Sequence, residues 1–308
     1  MIRIGVIGSG NIAERFIKEA SYVSDVQVTA IYNPHIDSAR RLSPELATDD
    51  WNFFIEKIDA GYIAVPHLAH MTYVKQLVHD RKHILCEKPM SLSFEELRQV
   101  SESAAHDGLV CMEALKTAYA PGFLQLLRDV KKIGQIFEVD AAFTKLMQPD
   151  GSRVFRRDCA GGSFTELASY TLLPVALILG TSPQEIRFHT FYGDDSEVDI
   201  YSKAILMYDN AVADIRVGIG AKTEGNLVVT GSRGYILAPS PWWLTKQYDI
   251  CFEDRTKNIH VEAPFYGDGL RYEIQEFVRL IEAGETVPQN MQEVSLFMAK
   301  VMEDFIAQ

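Results

Sequence analysis

Arg3-Ile4-Gly5-Val6-Ile7-Gly8-Ser9-Gly10-Asn11-Ile12-Ala13 is the stretch whose reading decides the fold. It begins as a short apolar run with two isoleucines and a valine, the composition of a buried strand. A G-x-G-x-x-A turn follows, and Ile12, Phe16, Ile17 and Ala20 then recur at helical spacing. Each small residue has a physical task. Gly8 permits the tight turn from strand to helix, Gly10 lets a pyrophosphate approach the backbone, and Ala13 lets helix and strand pack closely. The helix amino terminus, at Asn11 and Ile12, would offer unpaired N–H groups and a positive dipole end to the phosphates. A strand before this turn and a helix after it separate a dinucleotide site from an ordinary glycine turn.

Val26 to Tyr32 reads as a second strand, stopped by Asn33-Pro34. In a dinucleotide fold an acidic residue about 20 positions beyond the glycines holds the adenosine ribose hydroxyls. Asn33 stands there instead. Its amide can still bond a ribose, but it does not repel a 2′-phosphate as aspartate would. His35, Ser38 and Arg40 lie just downstream, so the reading leans to NADP over NAD. Ala60 to Val65, Lys82 to Cys86 and Leu109 to Glu113 read as further strands separated by helical segments. That alternation describes a parallel sheet covered on both faces. Ligands bind beyond the carboxyl ends of such strands. By that rule Gly8 to Ala13, Asn33, Pro66-His67, Glu87-Lys88 and Glu113 face one crevice, with His67 and His70 lining it or capping the next helix.

The chain has 308 residues, more than one typical core, so two domains are expected. The character changes at Tyr119-Ala120-Pro121-Gly122, which gives a nucleotide-binding domain over 1–118 and a second domain over 119–308. The second part holds alternating segments from Ile136 to Phe143, Ile186 to Tyr192, Lys203 to Tyr208, Ala211 to Val217, Asn226 to Thr230 and Tyr235 to Leu237. Short turns punctuate them, so a mainly antiparallel, open-faced sheet is expected, interrupted by one helix from Gly162 to Leu179. A net charge of −12 argues against a nucleic-acid partner. Four scattered cysteines without a C-x-x-C pair suit reduced thiols in a cytoplasm. No signal peptide or membrane span is expected, and no metal site, since His67 and His70 lack a companion cysteine or carboxylate.

These motifs together resemble the Gfo/Idh/MocA oxidoreductase family, named for glucose–fructose oxidoreductase, inositol dehydrogenase and a rhizopine-catabolism protein. The resemblance rests on Gly8 to Ala13, Ala64-Val65-Pro66-His67 with His70, Cys86-Glu87-Lys88-Pro89, Glu113-Ala114, and Gly161 to Tyr170. It implies a Rossmann domain followed by an open-faced sheet domain, with the nicotinamide between them. Family members carry Asp and His four apart after the second glycine turn. Glu166 and Tyr170 stand there in this chain, and the tyrosine resembles the branch of dimeric dihydrodiol dehydrogenases and NADP-dependent xylose dehydrogenases.

The resemblance implies hydride transfer between NAD(P) and a secondary alcohol or carbonyl of a sugar, cyclic polyol or dihydrodiol. An acid/base group must then reach the substrate oxygen. Tyrosine, with a pKa of about 10, is a poor base until a nearby cation favours the phenolate. Tyr170 is therefore assigned the proton, and Lys88 the roles of lowering the Tyr170 pKa and binding the substrate oxygen. Glu166 would orient Lys88 or accept a hydrogen bond from substrate. An alternative makes Lys88 itself the proton carrier. Glu87 and Pro89 would aim Lys88. Arg156 and Arg157 meet substrate, cofactor or solvent, and Trp242 and Trp243 stack on a sugar or pack in a core or interface. A homodimer or homotetramer through the second sheet would cover its bare face. Two other readings stay open: a non-catalytic NAD(P)-sensing regulator, and a reductase of an imine or conjugated double bond.

Overall fold

The computed structural model describes residues 1–193 and 196–308. The chain divides into two compact units, Met1–Lys116 with Tyr266–Lys300, and Thr117–Phe265 with Val301–Gln308. No helix among the described residues is long and apolar enough to cross a membrane.

In the first unit, strands Ile2–Ile7 (β1), Val26–Tyr32 (β2), Ala47–Thr48 (β3), Ala60–Ile63 (β4), His83–Glu87 (β5) and Cys111–Ala114 (β6) form a parallel sheet. Its order is β3-β2-β1-β4-β5-β6. The chain steps outward from β1 to β3, then starts again at β4 on the other side of β1. That reversal opens a crevice at the carboxyl ends of β1 and β4. Ile4, Val6, Ile7, Ile31, Ile63 and Ile84 are wholly buried, as strands covered on both faces require.

The first unit also contains Tyr266–Lys300, which the sequence boundary at 118/119 assigned to the second domain. The reason is specific packing. Helix Leu270–Ala283 buries Ile274 and Phe277 and lies on helix Asn11–Ala20. Arg271 Nη2 meets Glu19 Oε1 at 2.8 Å, and the guanidinium also lies over the Tyr22 ring, 4.5 Å from its centroid.

In the second unit, Ile136–Thr144 (β7), Glu185–Tyr192 (β8), Asp199–Met207 (β9), Val212–Gly218 (β10), Leu227–Gly231 (β11), Gly234–Ala238 (β12), Gln247–Phe252 (β13) and Ile259–Glu262 (β14) form one sheet. The order is β14-β13-β12-β11-β7-β10-β9-β8. Every adjacent pair is antiparallel except β7 with β10 at the centre. Helix Ser163–Leu179 covers one face, burying Phe164, Ala168, Leu172 and Val175 against β7, β9 and β10. Asp199 fastens the start of that helix. It accepts from Phe164 N at 2.9 Å, from Ser202 Oγ at 2.7 Å and from the Ser163 hydroxyl. Burial pushes the Asp199 pKa up against the pull of these donors.

Candidate active site

The parallel register sets the first half of the site. Ile7 pairs with Ile63, Ile63 with Cys86 and Cys86 with Glu113, so the residues that follow each strand emerge at one end of the sheet. Gly8 has φ +105°, and a Cβ there would collide with the Ala64 carbonyl. Glycine is required by both backbone and space. Gly10 and Asn11 are exposed, while Ala13 is wholly buried beneath the turn. Nothing lies within 4 Å of where a Gly10 side chain would begin, and helix Asn11–Ala20 has no side-chain cap. An anion can therefore reach the first N–H groups, around Asn11 and Ile12, and a dinucleotide pyrophosphate fits this turn.

Asn33 is tied into the same turn. Its Nδ2 donates to Ser9 Oγ at 2.7 Å, and its Oδ1 accepts from His35 N at 2.8 Å. No carboxylate occupies the ribose position. Downstream, Arg40 pairs with Asp37, while Arg41 Nη2 donates to Ser38 Oγ at 3.1 Å. Arg41, the residue just after helix Ile36–Arg40, was not singled out from sequence, where its neighbour Arg40 was read as the phosphate contact.

Lys88 sits in a loop held from three sides. Tyr62 OH donates to Glu87 Oε1 at 2.5 Å, and Lys88 N donates to Glu87 Oε2 at 3.3 Å. Glu113, only 5% exposed, accepts from Met90 N at 2.9 Å. Burial raises the Glu113 pKa, opposed by Ser295, the Met90 N–H and the charge of Lys88. His70 completes the clamp. Its Nδ1 lies 2.8 Å from Pro89 O and its Nε2 lies 2.9 Å from Val65 O, so it joins the loop after Pro66 to the loop after Lys88. Burial pushes the His70 pKa down, although both carbonyls pull it back up. His67 is buried beside it, ring centroids 5.7 Å apart. Gly8, Gly10, Asn33, Pro66, His67, His70, Glu87, Lys88 and Glu113 thus all belong to the first unit, with Glu113 and His70 beneath the surface as supports.

Glu166 and Tyr170 belong to the second unit. Between Gly162 and Tyr170 every residue is buried except these two, so one face of helix Ser163–Leu179 presents both. Arg153 holds the Glu166 carboxylate, with Nη1 2.5 Å from Oε1. This partner was missed from sequence, since a loop arginine thirteen residues away has no helical relation to Glu166. The Tyr170 ring meets Phe143 edge-on at 4.8 Å, and Phe143 stacks on Trp243 at 3.8 Å. Trp242 is a core residue, its Nε1 donating to Ala142 O at 2.9 Å. Arg156 is exposed and paired with Asp158 at 2.5 Å. Arg157 is exposed.

Residues 2–115 match the family described as oxidoreductase family, NAD-binding Rossmann fold, and residues 124–237 match the GFO/IDH/MocA C-terminal domain. The chain is 28% identical to scyllo-inositol 2-dehydrogenase (NADP(+)) of Bacillus subtilis, over 99% of this chain and 96% of that protein. It is 26% identical to dTDP-3,4-didehydro-2,6-dideoxy-alpha-D-glucose 3-reductase of Actinomadura kijaniata, over 98% and 94%. Among solved structures, a 3-ketoreductase from Actinomadura kijaniata in complex with NADP and TDP-benzene superposes with a TM-score of 0.86. That likeness covers 98% of this chain and 96% of the other at 24% identity, and it speaks for the fold.

Proposed function

Because the chain belongs to the Gfo/Idh/MocA family of NAD(P)-dependent oxidoreductases, we propose that Lys88 and Tyr170 serve hydride exchange between NADP and a secondary alcohol or its ketone. The substrate class is a sugar or cyclic polyol, as the inositol dehydrogenase and sugar ketoreductase relatives suggest. The observation that carries the proposal is the three-sided clamp on the Lys88 loop. A lysine whose backbone is fixed by Glu87, His70 and Glu113 at the carboxyl end of a dinucleotide sheet is preorganised to act on a substrate oxygen.

When bound, the nicotinamide supplies or takes the hydride. The chain's own residues do the rest. Gly8, Gly10 and the helix start at Asn11 and Ile12 receive the pyrophosphate, and Ser38 and Arg41 meet a 2′-phosphate. Lys88 Nζ binds the substrate oxygen and stabilises its negative charge. Tyr170 gives or takes the hydroxyl proton. Arg153 neutralises Glu166, so a carboxylate one turn from Tyr170 does not oppose the phenolate. Phe143 and Trp243 back the tyrosine ring with an apolar wall. Self-association through the sheet face away from helix Ser163–Leu179 and a cytoplasmic location belong to the same reading. Half-buried pairs Asp140–Arg216 and Lys203–Asp214 lie within β7, β9 and β10.

The test is fluorescence titration with NADPH and NADH, followed by a polyol, sugar and ketosugar screen with the preferred nucleotide. K88M and Y170F should each lower kcat by about 10²-fold or more with nucleotide Kd unchanged. Unchanged turnover in either variant removes that residue's role, and NADPH binding without turnover on any substrate favours a sensor.

A further inference from the structure

Tyr62 stands in β4 between Val6 of β1 and Leu85 of β5, and it is wholly buried. An apolar side chain would fill such a place with no polar atom to satisfy. The hydroxyl is used. It donates to Glu87 Oε1 at 2.5 Å, the length of a charge-assisted bond. The second oxygen of the same carboxyl accepts from Lys88 N at 3.3 Å, so Glu87 joins a fixed ring to the Lys88 backbone. Burial and the Glu87 charge push the Tyr62 pKa well above its ordinary range, which keeps the hydroxyl a donor. The ring is held from its other side as well. Phe16, wholly buried in helix Asn11–Ala20, lies nearly parallel to it, with centroids 3.6 Å apart and 10° between the planes. Phe16 is five residues beyond Asn11, on the helix whose uncapped start faces the pyrophosphate seat.

We propose that Tyr62 is a positioning residue for Lys88, seated by Phe16, and that the column Phe16–Tyr62–Glu87 sets the separation between the pyrophosphate seat and that lysine. The proposal rests on the assignment of Lys88 to the substrate oxygen. Strand pairing already registers β1, β4 and β5 with one another. The place of a helix on such a sheet is set by side chains instead, and here a ring stacked on a ring sets it. The column matters because a dinucleotide has a fixed reach between its phosphates and its reactive carbon. An error of about 1 Å in where Lys88 stands relative to that carbon can cost about 10²-fold in rate. His70 and Glu113 hold Pro89 O and Met90 N, the residues after Lys88. Tyr62 acts one residue earlier, and its line of contacts runs back to the helix that receives the nucleotide.

Amide hydrogen exchange on the full chain without nucleotide reads the column independently of turnover. In Y62F the Lys88 amide should exchange about tenfold faster, while the Met90 amide, held by Glu113, keeps its rate. F16M fills the ring's space with a flexible chain, and it should speed the Lys88 amide about threefold. In carbonyl reduction, Y62F should lose about tenfold in kcat, with substrate KM and NADPH Kd within about twofold of the parent. F16M should lose about fivefold, and F16M/Y62F should be no slower than Y62F alone, because both changes act along one line. Unchanged protection at Lys88 in Y62F, equal acceleration at Met90, or losses that multiply in the double variant would each overturn the column. Full turnover by K88M would instead overturn the assignment of Lys88, and the exchange pattern of Y62F would be untouched by that failure.

Discussion

Arg153 grips Glu166 through both terminal guanidinium nitrogens, Nη1 at 2.5 Å from Oε1 and Nη2 at 3.3 Å from Oε2. A forked pair of this kind fixes the carboxylate and cancels most of its field. Replacing Arg153 by Met releases a negative charge one helical turn from Tyr170. The phenol then becomes harder to ionise. In alcohol oxidation the rising limb of the pH profile for kcat/KM should move about one unit to higher pH, a tenfold loss at neutral pH. R153M/E166Q, which removes both charges, should restore the limb. A double variant as displaced as the single one would show that the arginine acts on Tyr170 by another route.

His70 bridges two loops with one ring, and a neutral imidazole donates from only one nitrogen, so one carbonyl contact is held by geometry. H70F removes both polar contacts from a wholly buried position. The expected cost is about 2–4 kcal/mol in urea unfolding. The larger consequence is kinetic, because the Pro89 anchor of the Lys88 loop is gone. Turnover in H70F should fall further than in a variant of equal instability made far from the loop, such as V217A in the second sheet. Equal losses in the two would reduce His70 to a packing residue.

Glu19 is 3% exposed and Arg271 caps it from a segment 252 residues downstream. Burial alone would raise the Glu19 pKa, but the hydrogen bonds and charge of Arg271 more than reverse this, leaving it lowered from 4.5. A carboxyl with a depressed folded pKa stabilises fully above its unfolded value and loses that contribution as pH falls through the folded pKa. E19Q should therefore melt well below the parent at neutral pH, with about 3 kcal/mol lost. The gap should close as pH drops below 4.5. A gap independent of pH would mean that the glutamine destabilises through shape.

The same pair shows where sequence reading stops. The turn from Gly8 to Ala13 and the Glu87-Lys88-Pro89 tripeptide announce a dinucleotide sheet, because strand period, glycine demand and strand-end chemistry are all local. Glu19 and Arg271 are a lone acid and a lone base on two amphipathic helices, and nothing local says that they meet. The parallel pairing of β7 with β10 is hidden for a like reason, since a helix and two strands lie between them. Gln247–Phe252 and Ile259–Glu262 were not singled out, although Asp249, His260 and Glu262 fall at the alternate, outward positions of short strands. Glu273 reads as one more polar helix position, and only packing reveals that it is buried. Glu166 and Tyr170 were legible as a four-residue pair, whereas Arg153, which sets the charge of that pair, was not.

Asn33 offers a direct test of nucleotide choice. Its Oδ1 accepts from His35 N and its Nδ2 donates to Ser9 Oγ, so an aspartate can keep the first bond and accept from the Ser9 hydroxyl in place of the second. N33D thus changes charge with little change in shape. A carboxylate here would bond the ribose hydroxyls of NADH and repel the 2′-phosphate of NADPH. The Kd for NADPH should rise by tenfold or more, about 1.4 kcal/mol, while that for NADH holds or falls. The rise should shrink as salt increases, because the repulsion acts at a solvent-facing site. An R41A variant should weaken NADPH selectively as well, by loss of attraction. If N33D leaves both affinities unchanged, the ribose lies elsewhere and the preference for NADP has no basis in this loop.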